Sequence, residues 1–209
     1  AVNVRTAAAQ GNAPTLAWNP NQAGEFVAVY KDDSSSSASM YWYIGTVSGN
    51  TVTQGTTYLA TGLAHDGCGV AWNKGVTDEF AFIYRTHTGG VTNICRGINS
   101  SGTISYGTPT VLDSSNNGFR PNISFDDNVT GSFVWQYYGI TDTESKSGAG
   151  TLSGDTWTIG ATQVTPDSDA SSLNYLSPIH FSQTTAGVGA GCWYGTNGST
   201  YGARAAAFS

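Results

Sequence analysis

Apolar and polar residues alternate along most of this chain in runs of four to eight, the period of a half-buried strand rather than a helix. The alternation recurs as a unit. LAWNPNQAGEFVAVY (16–30), VAWNKGVTDEFAFIY (70–84), ISFDDNVTGSFVWQY (123–137) and IHFSQTTAGVGAGCW (179–193) each read as a short strand, a turn and a second strand. Their marker aromatics, Trp18, Trp72, Phe125 and Phe181, are spaced 54, 53 and 56 residues apart. A hairpin follows in three of the units: IGTVSGNTVTQGTT (44–57), RGINSSGTISYGTP (96–109) and AGTLSGDTWTIGAT (149–162). Gly and Asn reach positive φ cheaply and mark its turn. Val52, Ile104 and Trp157 fall in register, as do Gly55, Gly107 and Gly160. A fourth hairpin reads as broken across the termini, with ARAAAFS (203–209) as its first arm and AVNVRT (1–6) as its second.

Four strands per unit, four units and a split hairpin predict an all-β fold, a single four-bladed β-propeller spanning 1–209. The blades are expected near 14–62, 66–116, 119–169 and 176–209, the last completed by an N-terminal strand, 1–8, that closes the ring. A sandwich of two Greek keys is the alternative, but it does not predict the split hairpin. The least strand-like segment is polar 144–148. On the inner strands, Leu16, Val70, Ile123 and Ile179 share one register position, and the marker aromatics share another. The residues between them, Ala17, Ala71, Ser124 and His180, face the other way. The small ones suit close packing between blades, and His180, the exception, is expected to be a buried, hydrogen-bonded histidine, with a ligand in the channel as the alternative. The run 40–43 (MYWY) is read as strand packing.

Composition narrows the function. Apolar residues make up 39% of the chain and aromatic residues 12%, enough for a sizeable core. Charged residues are only 11%, and the net charge is −6 with eight scattered Lys and Arg, which argues against nucleic acid. No apolar run approaches the ~20 residues of a membrane-spanning helix, so no membrane insertion is expected. Three cysteines (Cys68, Cys95, Cys192) lack metal-ligand spacing and are expected as buried free thiols. Ala1 fits Met removal, signal cleavage or a fragment start equally well.

Reaction chemistry is hard to find. The inner strands carry no carboxylate pair of the kind glycoside hydrolysis needs. The chain has no GxSxG, HExxH or P-loop. SGDTW (153–157) reads as a turn with only partial likeness to a sialidase repeat box. Asp32-Asp33, Asp126-Asp127 and Asp167-x-Asp169 do not continue into full calcium loops and read as solvated acids. No catalytic residue, metal or cofactor is therefore expected. Asn99, Asn122, Asn128 and Asn197 begin N-x-S/T sequons, relevant only in a eukaryotic secretory setting. The remaining candidates are loops that share one end of the ring. There Asp33, His65, Asp66, His87 and Asn117 join Arg120, Asp142, Asn174, Tyr175 and Asn197 as candidate ligand-binding residues. Planar polar groups beside aromatics suit sugar hydroxyls and ring faces. Any glycan is expected at this face, not at the hairpin ends near Asn50 and Gly154.

The hairpins IGTVSGNTVTQGT, GTISYGTPTVL and GTLSGDTWTIGAT, with the first strand RPNISFDDNVTGSFVWQ, resemble the degenerate β-propeller repeats of bacteriophage virion proteins, tail-fibre and appendage proteins above all. The resemblance implies a non-enzymatic structural or adhesive protein on a virion surface or in the extracellular space. It implies virion or surface proteins as partners, host or environmental glycans as ligands, and multi-copy assembly. A secreted lectin and a glycan-active enzyme are the alternatives.

Overall fold

The computed structural model describes residues 11–32, 39–61, 65–86, 89–114, 118–139, 144–165, 179–181, 184–197 and 200–208. Among them the chain is all strand and turn, with no helix. The first antiparallel sheet runs in sequence order through β1 (Gly11–Trp18), β2 (Glu25–Asp32), β3 (Ser39–Ser48) and β4 (Thr51–Thr61). The second repeats this order with β5 (His65–Trp72), β6 (Glu79–Thr86), β7 (Thr92–Ser100) and β8 (Thr103–Tyr106), and β9 (Thr110–Asp113) also pairs with β7. The third contains β10 (Gly118–Phe125), β11 (Ser132–Gly139), β12 (Glu144–Ser153) and β13 (Thr156–Ile159), with β14 (Gln163–Thr165) paired to β12. The fourth has β15 (His180–Phe181), β16 (Gly189–Asn197) and β17 (Thr200–Phe208). The outer strand is continuous in the first sheet. In the second it breaks at Gly107-Thr108-Pro109, where proline has no N–H to give the ladder.

The sheets stack through their first strands: β1 lies against β5, β5 against β10, and β10 against β15. The backbones come so close that a Cβ at Gly69 would stand 2.6 Å from the Pro121 carbonyl oxygen. One core joins the first two sheets, with Val27, Val29, Met40, Trp42 and Ile44 facing Val70, Trp72, Phe80, Phe82 and Ile104. Trp72 Nε1 donates across it to the Ala17 carbonyl at 2.9 Å. A second core joins the next two, with Ala81, Ile83 and Ile94 facing Ile123, Phe133, Trp135 and Leu152. Within each of three sheets a phenylalanine of the second strand lies over a glycine of the third. The pairs are Phe26–Gly45, Phe80–Gly97 and Phe133–Gly150, and a Cβ at any of these glycines would strike the ring.

A polar belt runs along one end. Asn19, Asn73 and Asp126 each follow a first strand, and each is buried. Their backbone N–H groups bond to the carbonyls of Glu25, Glu79 and Ser132 at 2.8–2.9 Å. Their side chains fold the turn by accepting the N–H two residues on, from Asn21, Gly75 and Asn128. Two of these side chains also reach the next sheet. Asn73 Oδ1 accepts the Gly131 N–H at 3.3 Å, and Asp126 Oδ2 accepts the Gly187 N–H at 2.6 Å. Gly131 and Gly187 have φ of +74° and +73°, where a side chain would be strained. Between the first two sheets, Asn99 donates to Glu25 at 3.2 Å and Asn21 to the Lys74 carbonyl at 3.3 Å.

Several expectations are corrected. Asp126 is not a solvated acid: it is 1% exposed and holds two turns together. Asn99, a sequon residue, is also buried. His180 is exposed rather than buried, because β15 is only two residues long and His180 alternates with the covered Ile179. Leu16 and Trp18 are each 55% exposed, whereas Val70 and Trp72 at the same positions are covered by the first sheet. The polar segment 144–148 forms the strand expected of it, because β12 is flanked by β11 and β14 and its Lys146 is paired with Asp113. The expected closing strand, 1–8, lies outside the described residues, among which the four sheets do not close into a ring.

The belt predicts an asymmetry between neighbouring aspartates. Asp126→Ala leaves two part-buried N–H groups without their acceptor and should cost ~1–3 kcal/mol in urea unfolding. Asp127→Ala breaks an exposed 3.5 Å pair with Lys74 and should cost under ~1 kcal/mol. Equal midpoints for the two variants would show that the belt contributes nothing.

Candidate ligand-binding site

Of the ten loop-face residues, Asp33, His87, Asn117, Asp142, Asn174 and Tyr175 lie outside the described residues. The backbones of His65 and Asp66 lie in β5 and that of Asn197 in β16, without described side chains. Arg120 is placed in full. It sits in a bulge of β10, where Arg120-Pro121 stand opposite Tyr137 alone. The same slip occurs at Asp66-Gly67 in β5 and at Ala13-Pro14 in β1. Proline fits there because a bulge leaves the ladder locally unpaired. Arg120 has φ +50°, a left-handed conformation that costs a non-glycine residue ~1–3 kcal/mol. Its guanidinium carbon lies 5.0 Å from the Phe119 ring centroid, and Asn122 Nδ2 donates to its carbonyl at 3.3 Å. A Cβ at Gly67 would stand 3.3 Å from the Arg120 nitrogen, so the start of β5, with His65 and Asp66, is brought beside Arg120.

A second constellation, which the sequence reading did not single out, lies between the second and third sheets. Arg96 on β7 points toward the third sheet and lies between two acids. Its Nε donates to the buried Glu79, and its Nη1 to Asp155 Oδ1 at 2.7 Å. Glu79 is fixed from the other side by Asn73 Nδ2 at 2.6 Å. Burial disfavours the Arg96 charge, but the hydrogen bonds and charges of Glu79 and Asp155 outweigh it and hold its pKa above the ordinary arginine value. Asp155, in the turn between β12 and β13, has a side chain that is 76% exposed. Trp157 on β13 is half-buried, with its ring perpendicular to that of Phe133 at 5.2 Å. Together with Tyr106, Gly107, Thr108 and Pro109 these residues line an open groove of about 560 Å³.

Register reveals what is unusual there. Arg96 precedes the glycine under Phe80, the position held by Ile44 in the first sheet and Ala149 in the third. A charge in that apolar row, and Trp157 in the row of Val52 and Ile104, were the sequence signals of the groove.

A further polar cluster ties the second sheet to the third. Asp113 on β9 accepts from Tyr137 Oη at 2.6 Å and from Lys146 Nζ at 3.2 Å in the third sheet. Cys68 and Cys95 are free thiols, and Cys95 Sγ donates to the Gly107 carbonyl at 3.2 Å. Burial pushes both thiols up to about 12, so neither is a thiolate nucleophile at neutral pH. The Cys192 side chain lies outside what is described. Among the described residues no group of three or more His, Cys, Asp or Glu could hold a metal ion, and no helix is long and apolar enough to cross a membrane.

Comparison with known proteins gives a fold. No protein-family model and no curated protein matches the chain. Among solved structures it is similar to the Hadza microbial sialidase Hz136, with a TM-score of 0.58 over 94% of this chain at 12% identity. The chain spans 44% of that protein's length. A protein from Lactobacillus plantarum is matched with a TM-score of 0.35, 10% identity and coverage of 90% of this chain and 69% of that one, too distant to carry an argument. The chain is all-β with one propeller-like neighbour that carries the comparison, and at 12% identity the likeness to the sialidase concerns fold alone.

The thiols set the alkaline limit of the fold. Their folded pKa lies above the ordinary 9.0, so the unfolded chain loses these protons first as pH rises. Stability should therefore be complete below about pH 9 and fall as pH climbs toward 12. The Tyr43 and Tyr84 hydroxyls, both raised chiefly by burial, add to the fall at higher pH. Urea midpoints measured across this range should decline, and Cys95→Ala should flatten the decline.

Proposed function

We propose that this chain is a non-enzymatic structural or adhesive module of a virion surface or extracellular particle, with glycans among its ligands. One observation carries the reading: the carboxylates of Glu79, Asp126 and Asp113 are engaged in structural hydrogen bonds within and between sheets. Glu79 is held by Asn73 and Arg96, Asp126 by two backbone N–H groups, and Asp113 by Tyr137 and Lys146. Carboxylates committed this way are not poised to protonate a leaving group or attack a sugar. The result is a rigid scaffold that presents loops, the usual design of a binding module.

The proposal includes a closed, four-bladed ring. The first sheet's outer face supports this, since Leu16 and Trp18 occupy positions that are covered wherever a preceding sheet is stacked on them. In the closed form the fourth sheet supplies that cover, and 1–8 completes it beside β17. Deleting 1–8 should then lower the melting temperature or drive association through the open edge. A truncated protein that melts with the parent and stays monomeric would contradict closure.

Two measurements test the function. Purified particles should contain the chain in stoichiometric amount by mass spectrometry. A broad panel of glycosides, sialosides included because of the structural neighbour, should be recovered unhydrolysed. Turnover that disappears on substituting an acidic residue would replace this reading with an enzymatic one.

A further inference from the structure

We propose that the groove between the second and third sheets binds a neutral pyranose unit of a surface glycan, with Trp157 as the ring platform and Asp155 as the hydroxyl acceptor. The inference rests on the adhesive reading and assigns it a surface away from the loop face, near the hairpin end that the sequence reading set aside.

The case begins with two junctions built from the same repeat. Between the first and second sheets, the positions in question are Ile44 and Ile104, 8% and 7% exposed and part of one core. Between the second and third sheets the equivalents are Arg96 and Trp157. A packed apolar contact has been replaced by a buried ion pair, an exposed acid and a half-exposed indole around an open groove. Core burial does not require this exchange, because the isoleucine version fills the same junction. A charge in a buried row costs stability unless it is fully paired. Here the pairing is supplied by Glu79, itself held by Asn73.

The chemistry of the lining selects the ligand. Arg96 already faces two carboxylates, so an anion would have to displace one of them. A cation would meet the guanidinium. A neutral polyol suits both sides of the groove. Asp155 has a side chain mostly in water that can accept hydroxyl protons, while its bond to Arg96 fixes its orientation. The indole offers an apolar face for the C–H groups of a sugar ring, and Phe133 fixes its tilt. Nothing in this arrangement attacks the glycosidic bond, and no covalent step is involved.

The test uses the full chain on an array of neutral and sialylated oligosaccharides. Titration then follows with the methyl glycosides of glucose, galactose and mannose, with glycoside turnover measured in the same mixtures. Trp157→Val restores the branched aliphatic type found at Val52 and Ile104, and Asp155→Asn alters an exposed side chain; melting temperatures of both variants are measured alongside, so that lost binding is read only from folded protein. Arg120→Gly reports on the loop face and suits its left-handed backbone. The parent should bind neutral glycans weakly, near ~1 mM per site. Trp157→Val should weaken binding at least tenfold and Asp155→Asn severalfold, while Arg120→Gly leaves it unchanged. Binding that survives Trp157→Val, or is lost with Arg120→Gly instead, would overturn the groove and leave the adhesive reading standing. A parent that binds none of these sugars would also overturn it, whereas hydrolysis of a bound glycan would overturn the adhesive reading itself.

Discussion

A sheet of four short strands has two faces and is too small to stand with either one fully wet. The architecture here depends on that constraint. The second and third sheets each bury one face against the preceding sheet and the other against the next, so the core is a series of layers rather than a single centre. Trp42 and Phe82 meet edge to face at 4.5 Å in the first layer, and Trp135 and Tyr137 stack at 5.5 Å in the second. The phenylalanine-over-glycine pairs thin three of the sheets at one point, where a Cβ would strike the ring. The polar belt then fixes the relative positions of successive turns, which apolar packing alone would leave free to slide.

Much of this was readable in the sequence because its causes are local. Alternation of side chains set the strands, Gly49 and Gly154 set the hairpin turns with φ near +57° and +56°, and the spacing of Trp18, Trp72 and Phe125 set the repeat. What escaped was set by neighbours. Asp126 looked like one of two surface acids. Only the arrival of Gly187 from the next sheet makes it a buried acceptor. His180 looked like Ala17 and Ala71, but its strand is too short to be covered in the same way. Trp18 looked like Trp72, yet it belongs to the sheet with no predecessor.

The groove illustrates the same division. Arg96 and Trp157 were visible as departures from their rows, but Asp155 was only a turn residue until the third sheet placed it 2.7 Å from Arg96. The loop face offers a contrast. Its ten residues were chosen by composition and by their expected end of the ring, and only Arg120 is placed with its side chain. The slip at Arg120-Pro121, shared with 66–67 and 13–14, could have been suspected from the two prolines at equivalent positions.

The belt also has a direction. Asn73 accepts from Gly131, and Asp126 accepts from Gly187, so in these two links the acceptor lies earlier in the chain than its donor. On a ribosome the acceptors therefore emerge first. Each finished turn can wait in water, where a carboxylate or amide oxygen is well solvated, until the glycine N–H of the next repeat is synthesised. Growth from the first sheet onward then adds one layer at a time to a surface already shaped to receive it. A glycine replaced by a bulkier residue at 131 or 187 would interrupt that succession at a defined layer, leaving the earlier layers assembled and the later ones without a template.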